Sequence, residues 1–153
     1  MTGGSHSLAK AAYDGAAGVH GVEALIVNAA EASAEHMLAA NGYLFVFPEN
    51  LAAISGGMKS FFDRCYYPCL GALNGRPYAM IVCAGSDGGN AVSQAERIAT
   101  GWRLRQIAPS VIVCTHAQTP EAILAPKTIH GAQLSAAADL GEQLATGLQM
   151  GIY

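Results

Sequence analysis

Apolar positions along this chain switch repeatedly between helical spacing and continuous strand-like runs. From Ser5 to about Val19, the positions Leu8, Ala11, Ala12 and Gly15 share one face and predict a helix. Val22–Val27 is a short β-branched run and predicts a strand. A short helix is expected over Ala32–Ala40 and a buried strand over Tyr43–Phe47. Met58, Phe61 and Phe62 form the apolar stripe of a helix from Ser55 to Tyr66. Leu70–Pro77 reads as a loop, with Asn74-Gly75 as its turn signal.

Tyr78–Ala84 (YAMIVCA) is the strongest strand in the chain. Val92, Ala95, Ile98, Ala99 and Trp102 then repeat with helical spacing and place a helix over about Ala91–Ile107, stopped by Pro109. Val111–Cys114 is the next strand, and Thr115–Lys127 a looser polar connection. The last helix, His130–Met150, carries Leu140, Leu144 and Leu148 one turn apart. Strands alternating with helices predict an α/β fold, a parallel sheet covered on both faces. Residues 1–153 are expected to form one domain, since no linker or repeat interrupts them.

Composition sharpens this picture. Hydrophobic residues make up 52% of the chain and charged residues only 12%, which excludes a disordered segment. So little charge suits a chain that hides surface in a doubly covered sheet or a subunit interface. The net charge is −3 and no basic patch stands out, so nucleic acid is not an expected partner. No apolar run approaches the roughly 18 residues of a membrane span. The opening MTGGSHSLAK lacks the pattern of a signal peptide, so the cytoplasm is the expected compartment. Cys83 and Cys114 sit inside strand-like runs as small hydrophobes. Cys65 and Cys69 lack nearby histidines, and no metal site is expected.

Three loops carry the candidate chemistry. Thr2–Ser7 combines Gly3 and Gly4 with Ser5, His6 and Ser7 at a helix start, where unpaired N–H groups and the helix dipole favour a phosphate. An ordinary helix cap would use the same residues. Pro48–Gly57 leaves a strand through Pro48, Glu49, Asn50 and Leu51 and enters a helix through Ser55, Gly56 and Gly57. Glycines so near a helix start suit close approach to a flat ligand, read here as a flavin. Lys59 and Asp63 are i,i+4 neighbours and read as a surface pair. The third loop, Gly85–Gly89 with Ser86, Asp87 and Gly88, follows the strongest strand. It is neither a P-loop nor a dinucleotide fingerprint. Loops that leave the carboxyl ends of parallel strands open on one edge of the sheet, where ligands bind.

With these motifs together, the chain resembles the flavodoxin-like NAD(P)H-dependent FMN reductases, a group that includes flavin-dependent quinone reductases. The matching stretches are TGGSHSLA (Thr2–Ala9), FPENLAAISGGMKSFFDRCYYP (Phe47–Pro68), GRPYAMIVCAGSDGG (Gly75–Gly89) and QAERIATGWRLR (Gln94–Arg105). The resemblance implies a flavodoxin-like doubly wound parallel sheet in the order 2-1-3-4-5, with FMN at the carboxyl ends. On it, Thr2, Gly3, Gly4, Ser5, His6 and Ser7 hold the FMN phosphate. Pro48, Glu49, Asn50 and Leu51 line the isoalloxazine, and Gly85, Ser86, Asp87, Gly88 and Gly89 its other side. Many relatives place an aromatic residue near Asn50; this chain does not.

The implied activity passes reducing equivalents from NADH or NADPH to a small acceptor such as a quinone or flavin, within a homo-oligomer, a dimer or tetramer. No catalytic side chain is named, because the flavin carries the electrons and the protein positions and tunes it. Two alternatives stand beside this: an electron-transfer flavodoxin, and a flavin-free structural or interaction protein. Ahead of Thr2 no apolar strand is visible, so the implied first strand is expected either upstream of Met1, from a neighbouring subunit, or not at all.

Overall fold

The computed structural model describes residues 2–153. Its centre is β3 (Pro77–Ala84), every residue of which is buried. Side chains on a strand alternate between faces, and this strand supplies both halves of the core. Tyr78, Met80 and Val82 enter one cluster, and Ala79, Ile81 and Cys83 enter the other. That explains why the segment reads as a continuous apolar run rather than an alternating one.

β1 (Tyr43–Asn50) pairs parallel with β3 from Tyr43↔Tyr78 to Pro48↔Cys83. β5 (Val111–Cys114) pairs parallel on β3's other side, from Ile81↔Val111 to Ala84↔Cys114. A two-residue strand, β4 (Arg105–Gln106), bonds to the start of β3. Another, β2 (Ala53–Ile54), folds back antiparallel onto the end of β1. The sheet thus runs β2-β1-β3-β4, with β5 also on β3.

Helices cover both faces. α3 (Gly56–Tyr66) and α4 (Gly89–Gly101) pack Met58, Phe61, Phe62, Ala95 and Ala99 against Phe45, Phe47 and the fully buried Trp102. On the opposite face lie α1 (Gly4–Ala17) and α6 (Gly131–Gln149), through Leu8, Ala12, Ala137 and Leu140. These two helices touch backbone to backbone. A Cβ at Gly15 would lie 2.0 Å from the Ala138 carbonyl oxygen, and one at Gly141 1.9 Å from that of Ala12. Two short helices complete the chain, α2 (Ala34–Ala39) and α5 (Pro120–Leu124).

Four expectations are corrected. Val22–Val27 forms no strand, and Leu25 and Ile26 are 72% and 42% exposed. The strand expected to end at Phe47 runs on to Asn50 and turns into a hairpin. The helix expected to reach Ile107 ends at Gly101, and the chain returns to the sheet as β4. The polar connection after β5 contains α5.

The first and third corrections share a cause: tertiary pairing decides whether an apolar run becomes a strand. β4 has β3 beside it. Val22–Val27 has no partner, because no strand among the described residues lies along the edge of Tyr43–Phe47 away from β3.

Candidate functional site

The register Pro48↔Cys83 brings the ends of β1 and β3 level, so the second and third predicted loops leave the sheet side by side. The start of α1 joins them there. A Cβ on Gly4 would come within 2.8 Å of Cys83 Sγ, so this glycine lets the helix sit directly over the end of β3. Thr2 is tied to the segment after α5, its carbonyl accepting the Lys127 N–H at 2.7 Å. The structure therefore gathers all three predicted loops at one end of the sheet.

In the first loop, Gly3 is the N-cap of α1 and no side chain caps the helix. Neither Thr2 nor Ser5 takes the capping role. Ser5 and His6 lie within the first turn, Ser7 Oγ donates to the Gly3 carbonyl at 3.2 Å, and His6 is exposed. The uncapped first turn leaves N–H groups free to meet an anion. Ser5 Oγ is buried and, apart from the Cys83 thiol beside it, has no hydrogen-bond partner. Burial pushes the Cys83 thiol up from its ordinary range, and the Ser5 hydroxyl offsets part of that rise.

The second loop is a tight hairpin. Glu49 faces Ile54 and Asn50 faces Ala53, leaving Leu51 and Ala52 as a two-residue turn. Both have positive φ, 52° and 56°. That is the type I′ pattern, which favours Asn-Gly and costs energy in Leu-Ala. Leu51 is fully exposed at the tip. Ser55 precedes α3 without a side-chain capping bond, and a Cβ on Gly56 or Gly57 would meet nothing within 4 Å. These two glycines border open space, as does Gly85 in the third loop. Lys59 and Asp63 form the expected surface ion pair at 2.5 Å.

The third loop is fastened to the second. Gly88 N–H donates to Glu49 Oε2 at 3.1 Å, Ile54 N–H to Gln94 Oε1 at 3.1 Å, and Asn90 Nδ2 to the Ala52 carbonyl at 2.5 Å. Gly88, not Ser86 or Asp87, is the N-cap of α4. Its φ is 86°, and a Cβ there would lie 2.7 Å from Ile112 Cγ2, so no other residue fits without displacement. The Asp87 carboxylate instead accepts from Gly89 N–H at 3.3 Å. Glu49 Oε1, the second oxygen of that fastening side chain, is buried and unpartnered.

Sequence reasoning missed the fourth segment at this edge. Thr115 Oγ1 donates to the Ala84 carbonyl at 3.2 Å, and His116 N–H to the Gly85 carbonyl at 2.7 Å. His116 holds φ 53° and is exposed beside the third loop. Its signal in the sequence is its position just after a strand. Two surface clefts lie elsewhere. One of about 540 Å³ is lined by Asp139, Glu142 and Tyr153, the other of about 390 Å³ by Asn41, Arg76 and Leu148.

Comparison with known proteins follows the same lines. The family model "NADPH-dependent FMN reductase" matches residues 15–119, more than half of the chain and including the second and third loops. No curated protein sequence matches. A flavodoxin from the domain Archaea superposes with a TM-score of 0.75 at 14% identity, covering 97% of this chain and 93% of that one. A flavodoxin, WrbA-like protein from Agrobacterium tumefaciens gives 0.66 at 15% identity, covering 97% and 91%. The Flv1 flavodiiron core from Synechocystis sp. gives 0.74 at 16% identity, covering 97% of this chain and 34% of that one. The fold is flavodoxin-like, and the chain belongs to the NADPH-dependent FMN reductase family.

Proposed function

We propose that this protein binds FMN non-covalently at the carboxyl end of its sheet and passes reducing equivalents from NADH or NADPH to a small acceptor such as a quinone or flavin. One observation carries the binding reading. Two buried side-chain atoms without a proper partner among the described residues, Ser5 Oγ and Glu49 Oε1, fall one in the phosphate loop and one in the ring loop. Orphaned polar atoms are costly and call for an explanation at each site where they occur. A ligand with a phosphate at one end and a polar ring edge at the other would satisfy both.

The residues present fit FMN. The uncapped start of α1 and the Ser5 hydroxyl would hold the phosphate, within Thr2–Ser7. Pro48, Glu49, Asn50 and Leu51 would line one side of the ring, and Gly85–Gly89 the other, with open space at Gly56, Gly57 and Gly85 to admit it. Bound FMN supplies the hydride and electron chemistry. The chain's part is to orient the ring through the linked second and third loops and to offer it fixed dipoles. Anaerobic mixing of the FMN-loaded protein with NADPH tests the reductase reading, and bleaching of the flavin is the expected result.

The similarity to flavodoxins favours a second reading, an electron-transfer protein without its own nicotinamide reaction. A flavin that stays oxidised with either nicotinamide yet accepts electrons from dithionite selects it. A homo-oligomer is proposed on the apolar composition and is read from light scattering during gel filtration.

A further inference from the structure

Two strand-forming elements of this chain leave each other unused. β1 bonds to β3 along one side, and among the described residues no backbone group pairs with residues 43–47 on the other. Residues 22–27 (VEALIV) have strand composition, yet among the described residues none of 23–27 takes part in a backbone hydrogen bond. Both ends of that segment are held. Val22 N–H donates to the Val19 carbonyl at 3.3 Å, in a turn after α1. Arg64 Nη2 donates to the carbonyls of Ala29 at 2.7 Å and Ala32 at 3.2 Å. Between these anchors Leu25 and Ile26 stand 72% and 42% exposed. The segment stays off its own sheet and turns an unsatisfied backbone and apolar side chains outward.

Neither element carries the usual guards of a free edge. Residues 43–47 (YLFVF) contain no charge and no proline, and Glu23 is the one charged residue of 22–27. Leu44 and Val46 remain partly exposed. The lengths match as well, since six extended residues span about 20 Å and five about 17 Å. We propose that two copies of this chain exchange these elements, residues 22–27 of each adding as a strand to the open edge of β1 in the other. A two-fold axis makes the two contacts identical and leaves neither element over. This closure selects a second copy over an unrelated extended peptide, which would fill the edge of β1 and leave Leu25 and Ile26 exposed. The inference rests on the homo-oligomer reading and is independent of FMN.

The test follows the full chain through a dilution series, by light scattering during gel filtration and by amide hydrogen exchange. Wild type is expected to be a dimer when concentrated. The outer amides of residues 43–47 and the amides of 23–27 exchange fast in the dilute monomer and become protected as the dimer fills. That readout needs no variant to fold. Leu25→Lys with Ile26→Lys should weaken the dimer at least about a hundredfold and abolish the protection. Both side chains are exposed in the single chain, so the variant keeps its fold, checked as a urea midpoint equal to that of dilute wild type. A dimer that withstands the two lysines, or that forms while those amides still exchange fast, overturns the inference and leaves the homo-oligomer standing. Wild type that stays monomeric at every concentration overturns both.

Discussion

Gly88 is the residue on which the third loop turns. Its positive φ and the 2.7 Å approach of Ile112 to a notional Cβ both exclude a side chain. Gly88→Ala is therefore expected to destabilise the fold by about 1–3 kcal/mol, read as a lower urea midpoint at unchanged slope. Leu51 and Ala52 present the opposite case, side chains where glycine or asparagine would be cheaper. Leu51→Asn with Ala52→Gly should raise stability by about 1 kcal/mol or more, measured the same way. A loss of stability would show that the tip makes contacts worth more than its strain. At this scale the site was partly legible. Glycines and hydroxyls at helix starts marked the three loops. What could not be read was which atoms pair: that Glu49 reaches Gly88 across 39 positions of sequence, or that Ser5 is buried against Cys83.

Among the elements, the α1–α6 pair shows how small residues set a packing distance. Gly15 and Gly141 let the two backbones touch. Gly141→Ala is expected to force the helices apart at a cost of about 1–3 kcal/mol or more, since the clash is with backbone that cannot rotate away. β1 makes a different prediction. Every second residue of Tyr43–Phe47 directs its N–H away from β3, where no described strand meets it. In the monomer those amides should exchange with solvent far faster than their neighbours bonded to β3, as read by amide hydrogen exchange. Uniform protection would mean that another strand covers this edge in solution. The helical stripes and the three longer strands were legible because each is an amphipathic or fully buried run. Val22–Val27 misled because strand composition is necessary for a ladder but a partner must supply the bonds.

The whole molecule carries several neutral acids in its interior. Burial raises the thiols of Cys65, Cys69 and Cys83 and the phenols of Tyr43 and Tyr78, with the nearby Arg76 offsetting part of the rise at Tyr43. A group whose folded pKa is raised stabilises the fold below its unfolded pKa and loses that contribution as pH climbs through the folded value. Stability should hold up to about pH 8.5, the ordinary thiol value, and decline steadily above it. Thermal unfolding across that range checks the slope, and a rising midpoint above pH 9 would contradict it.

Three loops and the Thr115–His116 segment meet at one end of the sheet. The most direct measurement is equilibrium titration of FMN into the purified protein, followed by the flavin's visible absorption and fluorescence. The account predicts saturable, stoichiometric binding that perturbs the visible band and weakens sharply when the riboflavin core is offered without its phosphate. A protein that leaves the spectrum of added FMN unchanged at every concentration would contradict it.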